Sequence, residues 1–156
     1  MARIPFAVGL GVRTLNVVVN NVAGTLILDT GATFVSITSR FAIKARVATE
    51  SGSQVIMKTV GGKALADIGY ADSISVGKAA ASGVTTAVMR DDGEPFGKGV
   101  DGLLGTSFLS RFNVFDERSR TRGSSLIFDH PPAVARPPSP RAGSIRDGNL
   151  IMWQER

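Results

Sequence analysis

The stretch Leu26-Ile-Leu-Asp29-Thr30-Gly31-Ala32-Thr-Phe-Val-Ser-Ile37 ends an apolar, β-rich run on a carboxylate, with a small hydroxyl residue and a glycine directly behind it. A carboxylate at the edge of a core can serve as general acid or base, and the glycine lets other backbone approach closely. Read alone, Asp-Thr-Gly also suits an Asx-type turn. A second stretch, Val100-Asp-Gly-Leu103-Leu104-Gly105-Thr-Ser-Phe-Leu109-Ser-Arg-Phe112, sets two apolar residues and a glycine ahead of a short helical run. Between the two stretches, Gly61-Gly62 separates the β-type runs 54–60 and 63–68, which reads as a hairpin turning on the two glycines.

Other chemistries fit poorly. Cysteine is absent and His130 is the single histidine, which excludes disulfide scaffolds, thiolate sites and multi-histidine metal centres. No metal and no cofactor is expected. Gly97-Lys-Gly99-Val-Asp-Gly102 spells a dinucleotide fingerprint, but a βαβ context is missing and Asp101 would face a phosphate. Asp91-Asp92-Gly-Glu94 lacks the alternating ligands of a calcium loop and reads as solvated. A Ser-His-Asp triad would need His130, which sits before two prolines.

The elements that must position Asp29 are short strands. Runs 14–19 and 25–28 flank a turn-rich interval, 20–24, and further runs cover 73–76, 83–89 and 124–128. Helical patterning is confined to a segment starting at Ser39 as N-cap and to about a turn between Thr106 and Phe112. Many short strands with close turns predict an all-β barrel or sandwich. Residues 1–129 are expected to form one domain. Residues 130–156 hold five of the seven prolines and read as a Pro-rich, flexible tail, whose Leu150-Ile-Met-Trp153 is either a frayed end or a docking motif.

With 156 residues, 43% of them hydrophobic, the chain can bury a core without a staple. The formal charge of +5 is spread through turns and tail without interleaved aromatics, so no nucleic-acid partner is expected. No apolar run is long enough to span a membrane. Met1–Val8 is too short and too weakly charged for a secretory signal. A cytoplasmic location is expected for the chain as given, or a periplasmic or membrane-attached one if an N-terminal segment is missing.

Ile27-Leu28-Asp29-Thr30-Gly31-Ala32, the hairpin, and Leu103-Leu104-Gly105 some 70 residues later resemble the retropepsin-like aspartic peptidases, in particular their bacterial Asp-Thr-Gly-Ala branch. The resemblance spans about residues 6–128. It implies a single closed, barrel-type all-β lobe with one or two short helices, working as a two-fold homodimer. It implies an endopeptidase in which Asp29 of each subunit forms a catalytic dyad, Thr30 locks the paired loops, Gly31 permits their approach and Ala32 completes the active-site loop. Residues Lys58, Thr59, Val60, Gly61, Gly62 and Lys63 would form the flap over an extended peptide, with Leu103, Leu104 and Gly105 as the structural motif. Family members with Ser in place of Ala32 add a hydrogen bond that favours the charged carboxylate, so Ala32 implies activity nearer neutral pH. A narrow processing protease is the leading expectation. A catalytically silent binding or dimerisation module of the same fold, and a basic adaptor acting through the tail, are the alternatives.

Overall fold

In the computed structural model, which describes residues 2–5, 7–9, 12–59, 62–90, 93–119 and 123–129, the chain opens with β1 (Ala2–Pro5) and β2 (Ala7–Gly9). β3 (Val12–Val19) alternates buried Leu15, Val17 and Val19 with exposed Asn16 and Val18, the period of a half-buried strand. It turns into β4 (Val22–Leu28) through Asn20 and Asn21 alone. Both have positive φ, 47° and 67°, the type I′ geometry that asparagine tolerates. The turn is thus shorter than the expected 20–24, and Gly24 already pairs with Val17.

After the Asp29 loop comes β5 (Val35–Ile37), then α1 (Ser39–Ala45). Thr38, not Ser39, is the N-cap: Thr38 is extended, and its Oγ1 accepts from the Phe41 N–H at 3.2 Å. Both hydroxyl residues suit the role, and the backbone enters the helix one residue earlier than expected. α1 buries Phe41, Ala42 and Ala45. It ends at Arg46 in the left-handed conformation, where the Arg46 and Val47 N–H groups return to the Ile43 and Ala42 carbonyls.

β6 (Ala48–Thr59), β7 (Gly62–Val76) and β8 (Ala79–Met89) are consecutive antiparallel neighbours. Thr59 lies opposite Gly62, so Gly62 already pairs in β7 where the sequence placed it in the turn. Val60 and Gly61 themselves lie outside the described residues. The chain finishes with β9 (Gly102–Leu104), α2 (Thr106–Leu109), β10 (Asn113–Ser119) and β11 (Gly123–Asp129). The expected tail from His130 onward lies outside the described residues.

One sheet runs β2-β3-β4-β9-β5-β8-β7-β6, and a further β3–β7 pairing, Val19 opposite Ile74, closes it into a barrel. The all-β lobe with two short helices is therefore observed. A second sheet, β1-β11-β10, pairs the first strand with the last, Ala2 opposite Phe128. The barrel interior holds Leu15, Leu26, Ile37, Ile74 and Leu104, all fully buried, and each such side chain contributes about 1.5–3 kcal/mol. Phe108, Phe112 and Phe128 pack in tilted and edge-to-face contacts with ring centroids 4.9–6.3 Å apart, joining α2 to the second sheet. A smaller cluster of Ala66, Ala87 and Met89 packs with Met57, Ala64 and Phe96 near the β6–β7 hairpin. Among the described residues no helix is long and apolar enough to cross a membrane.

Candidate active site

Asp29 follows the last residue of β4, and its position is set by β9. That three-residue strand lies between β4, which it parallels (Leu28 opposite Leu104), and β5, which it opposes (Ile37 opposite Gly102). The Asp29 N–H donates to Leu104 O at 3.2 Å, carrying the β4–β9 ladder one residue further. Beyond it the chain leaves the sheet. The Gly31 N–H donates to Asp29 Oδ1 at 2.9 Å and the Ala32 N–H to Asp29 O at 3.3 Å. The Asx-type turn weighed from the sequence is thus present, and it holds one carboxylate oxygen; Oδ2 has no hydrogen bond to another described residue.

The start of α2 grips the far side of this loop. A Cβ on Gly105 would stand 2.2 Å from Phe34 O and 2.8 Å from Ala32 O, so only glycine lets the two backbones meet. The Thr106 and Ser107 N–H groups, which a helix start leaves without intrahelical partners, donate to Ala32 O and Thr33 O at 2.8 and 2.9 Å. Thr106 Oγ1 lies 3.1 Å from Ala32 O and 2.9 Å from Thr33 O, a shared donor to both. Ser107 Oγ donates to Thr85 O on β8 and accepts from the Val35 N–H on β5, both at 2.8 Å. The pleat of β9 buries Leu104 in the core and leaves Leu103 half-buried beside the loop.

Above the loop is a cleft of about 720 Å³. Ile27, Asp29 and Leu103 border it on one side, and Met57, Lys58, Lys63 and Ala64 of the hairpin on another. Glu94, Pro95 and Phe96 complete it, in a turn closed by the Gly97 N–H on Glu94 O at 3.0 Å. The β7–β8 ladder ends at Ala66 and Met89, so the hairpin beyond is two-stranded. At its base Arg90 grips Asp67 with two hydrogen bonds, Nε to Oδ2 at 2.9 Å and Nη2 to Oδ1 at 2.8 Å. The guanidinium holds the Asp67 carboxyl below the usual carboxylate range. Gly62, at φ 117°, and Lys63 are exposed.

Of the residues singled out by sequence, Asp29, Lys58, Lys63 and Leu103 meet at the cleft. Thr30 and Gly31 are exposed and Ala32 is half-buried; Thr30 borders a neighbouring groove of about 310 Å³ with Arg13 and Leu28. Thr59 is the last residue of β6, next to the loop. Sequence reasoning missed Met89, Glu94 and Phe96, which reach the cleft only through tertiary placement, and the paired hydroxyls of Thr106 and Ser107. The one available signal for the latter was two hydroxyl residues directly after an apolar-apolar-Gly. Asp101 is a structural tie: its Oδ2 accepts from the Thr25 N–H at 2.9 Å and its carbonyl accepts from the Thr38 N–H at 2.9 Å. Gly102 begins a strand rather than a helix, which removes the dinucleotide reading. Among the described residues no group of three acidic or histidine side chains could hold a metal.

A retropepsin-like aspartic protease from Rickettsia conorii shares this fold, with a TM-score of 0.60 and 23% identity over 81% of this chain and 99% of that one. EIAV protease, solved with the inhibitor HBY-793, gives a TM-score of 0.48 and 18% identity over 67% of this chain and 91% of that one. No curated protein matches the chain in sequence. A family model described as aspartyl protease matches residues 15–108, from the middle of β3 through the Asp29 loop, hairpin and β9 to α2. That span takes in every element that holds or borders the Asp29 loop, and the chain belongs to the aspartyl protease family.

Proposed function

We infer that the protein is an aspartic endopeptidase acting as a two-fold homodimer, with Asp29 of each subunit forming the catalytic dyad. The observation that carries this reading is the Asp29 loop itself: it is rigidly held from behind, opens on a cleft, and presents exposed Thr30 and Gly31 beside the carboxylate. The chain has one such loop, and the chemistry needs two carboxylates. Close together they cannot both ionise, so they share a proton. The ionised member takes a proton from water as the water oxygen attacks the peptide carbonyl carbon. The protonated member gives its proton to the carbonyl oxygen. In the collapse of the resulting gem-diol the first carboxyl passes its newly gained proton to the nitrogen, the second takes one back from a gem-diol hydroxyl, and the C–N bond breaks to give an amine and a carboxylic acid.

Thr30 then bonds the partner's loop across the axis, Gly31 permits the approach, and Ala32 leaves the dyad without an added side-chain hydrogen bond, favouring activity nearer neutral pH. The hairpin, residues 58–63, closes over an extended peptide and excludes water. A cleft bordered by Ile27, Met57, Phe96 and Leu103 suits apolar side chains on either side of the scissile bond. The test is cleavage of a diverse peptide library from pH 4 to 8 by wild type and Asp29→Asn. Products made by wild type and reduced about 1,000-fold or more in the variant are expected, the scale of a lost acid–base group. A wild-type dimer that cuts nothing would leave the fold as a binding module.

A further inference from the structure

The cleft carries a charge pattern that hydrolysis does not require. Lys58 and Lys63 are direct cross-strand partners in the hairpin, one pair in from the loop. Directly opposite residues lie about 4.5–5.5 Å apart and share a face, so two like-charged side chains leave the hairpin side by side, an arrangement that destabilises it. Both residues are exposed, both border the cleft, and neither forms an ion pair with another described residue. The pleat puts their neighbours Met57 and Ala64 on the alternate face, where they pack with Met89 and Phe96. The roof is therefore apolar beneath, while Lys58 and Lys63 leave from its outer face, the face of Ile56 and Leu65, and still border the cleft, which stems as long as lysine's allow. Among the described residues Glu94 is the acidic member of the cleft besides Asp29, and it sits in the separate 94–97 turn. The chain as a whole is basic, at +5, which favours encounter with anionic partners.

We propose that Lys58 and Lys63 select peptides carrying glutamate or aspartate side chains on the flanks of an apolar cleavage segment. This rests on the peptidase reading above. In a two-fold dimer the two hairpins present the same pair at both ends of the bound peptide, so acidic residues are read on both sides of the scissile bond. The ammonium–carboxylate pairs form where substrate leaves the cleft, in partial contact with solvent, and salt weakens them.

The experiment uses two fluorescent decapeptides with the same apolar centre, flanked on both sides by Glu in one and Gln in the other. Binding to the full-length Asp29→Asn chain is followed by anisotropy at low salt, and cleavage by wild type in parallel. The Glu peptide is expected to bind about three- to tenfold more tightly, the scale of one to a few exposed pairs. The preference disappears in Lys58→Gln/Lys63→Gln, turns toward a Lys-flanked peptide in Lys58→Glu/Lys63→Glu, and shrinks as salt rises. Equal binding of the two peptides, no binding of either, or a preference that survives in the double Gln variant overturns the proposal. Failure of the peptidase reading registers separately, as absence of wild-type cleavage, while the binding arm still decides the role of the lysines.

Discussion

The loop that carries Asp29 and the hairpin that faces it across the cleft are held in opposite ways. Behind the loop, Leu104, Thr106 and Ser107 supply hydrogen bonds to Asp29, Ala32, Thr33 and Val35, and Gly105 is in backbone contact with it. Beyond Ala66 the two hairpin strands pair only with each other; the Arg90 N–H on Leu65 O, one exposed bidentate pair and the packing of Met57 and Ala64 hold the base, and on the outer face Ile56 and Leu65 lie opposite each other, 68% and 47% exposed. Near its tip Lys58 and Lys63, neither in an ion pair with another described residue, stand opposite each other with like charge. The loop is over-determined and the hairpin under-determined. Pre-organised acid–base chemistry needs the first, and admitting a polymer substrate needs the second.

This contrast can be broken from the loop side. Gly105→Ala drives a methyl group into Phe34 O and Ala32 O, with an expected loss of about 3 kcal/mol in urea denaturation and a collapse of kcat. Ser107→Ala leaves the Val35 N–H and Thr85 O without their partner and should cost about 2 kcal/mol, while Ser107→Thr recovers part of it. Changes on the hairpin side should leave the global midpoint in place and act locally. Asp67→Asn removes the base pair and should lower amide-exchange protection in 55–58 and 63–65 at pH 7.

The sign of the pH effect follows from the lowered Asp67 carboxyl. Its contribution is complete above about pH 4, the unfolded value, and is lost as pH falls through the lower folded one. Wild-type hairpin protection should therefore hold down to about pH 4 and then decline toward that of Asp67→Asn. The smallest change is Lys63→Glu, which sets opposite charges across from each other and should raise hairpin protection by a few tenths of a kcal/mol. Equal global losses from loop and hairpin substitutions would erase the distinction.

What could be read from the sequence was whatever local backbone chemistry determines. Asp29-Thr-Gly and Leu103-Leu-Gly105 announce themselves because a carboxylate at the end of an apolar run and a glycine at a backbone crossing are both rare choices. The hairpin was legible as a hairpin, but Gly62 was assigned to the turn, since Gly61 and Gly62 both suit one and only cross-strand register puts Gly62 in β7. Thr38 and Ser39 posed the same ambiguity at the start of α1. β5 and β9 were not visible as strands: three residues carry no periodicity, and each exists only because distant partners complete it. Glu94 and Phe96 belong to a recognisable Pro-containing turn, but nothing local says which cavity that turn borders.

The pairing of the first strand with the last has a consequence in time. Ala2–Pro5 has no partner in the second sheet until Gly123–Asp129 has been made, about 6–25 s later at ordinary rates of synthesis. β2 to β9 need nothing beyond Leu104 to pair, so the barrel can close earlier. Phe128 of the last strand stacks on Phe108 and Phe112, and Phe108 lies in the helix whose first residues grip the Asp29 loop. The Asp29 loop is therefore made well before α2, and α2 in turn waits for Phe128 of β11 before its ring cluster is complete, so synthesis delays the finished site until β11 has emerged.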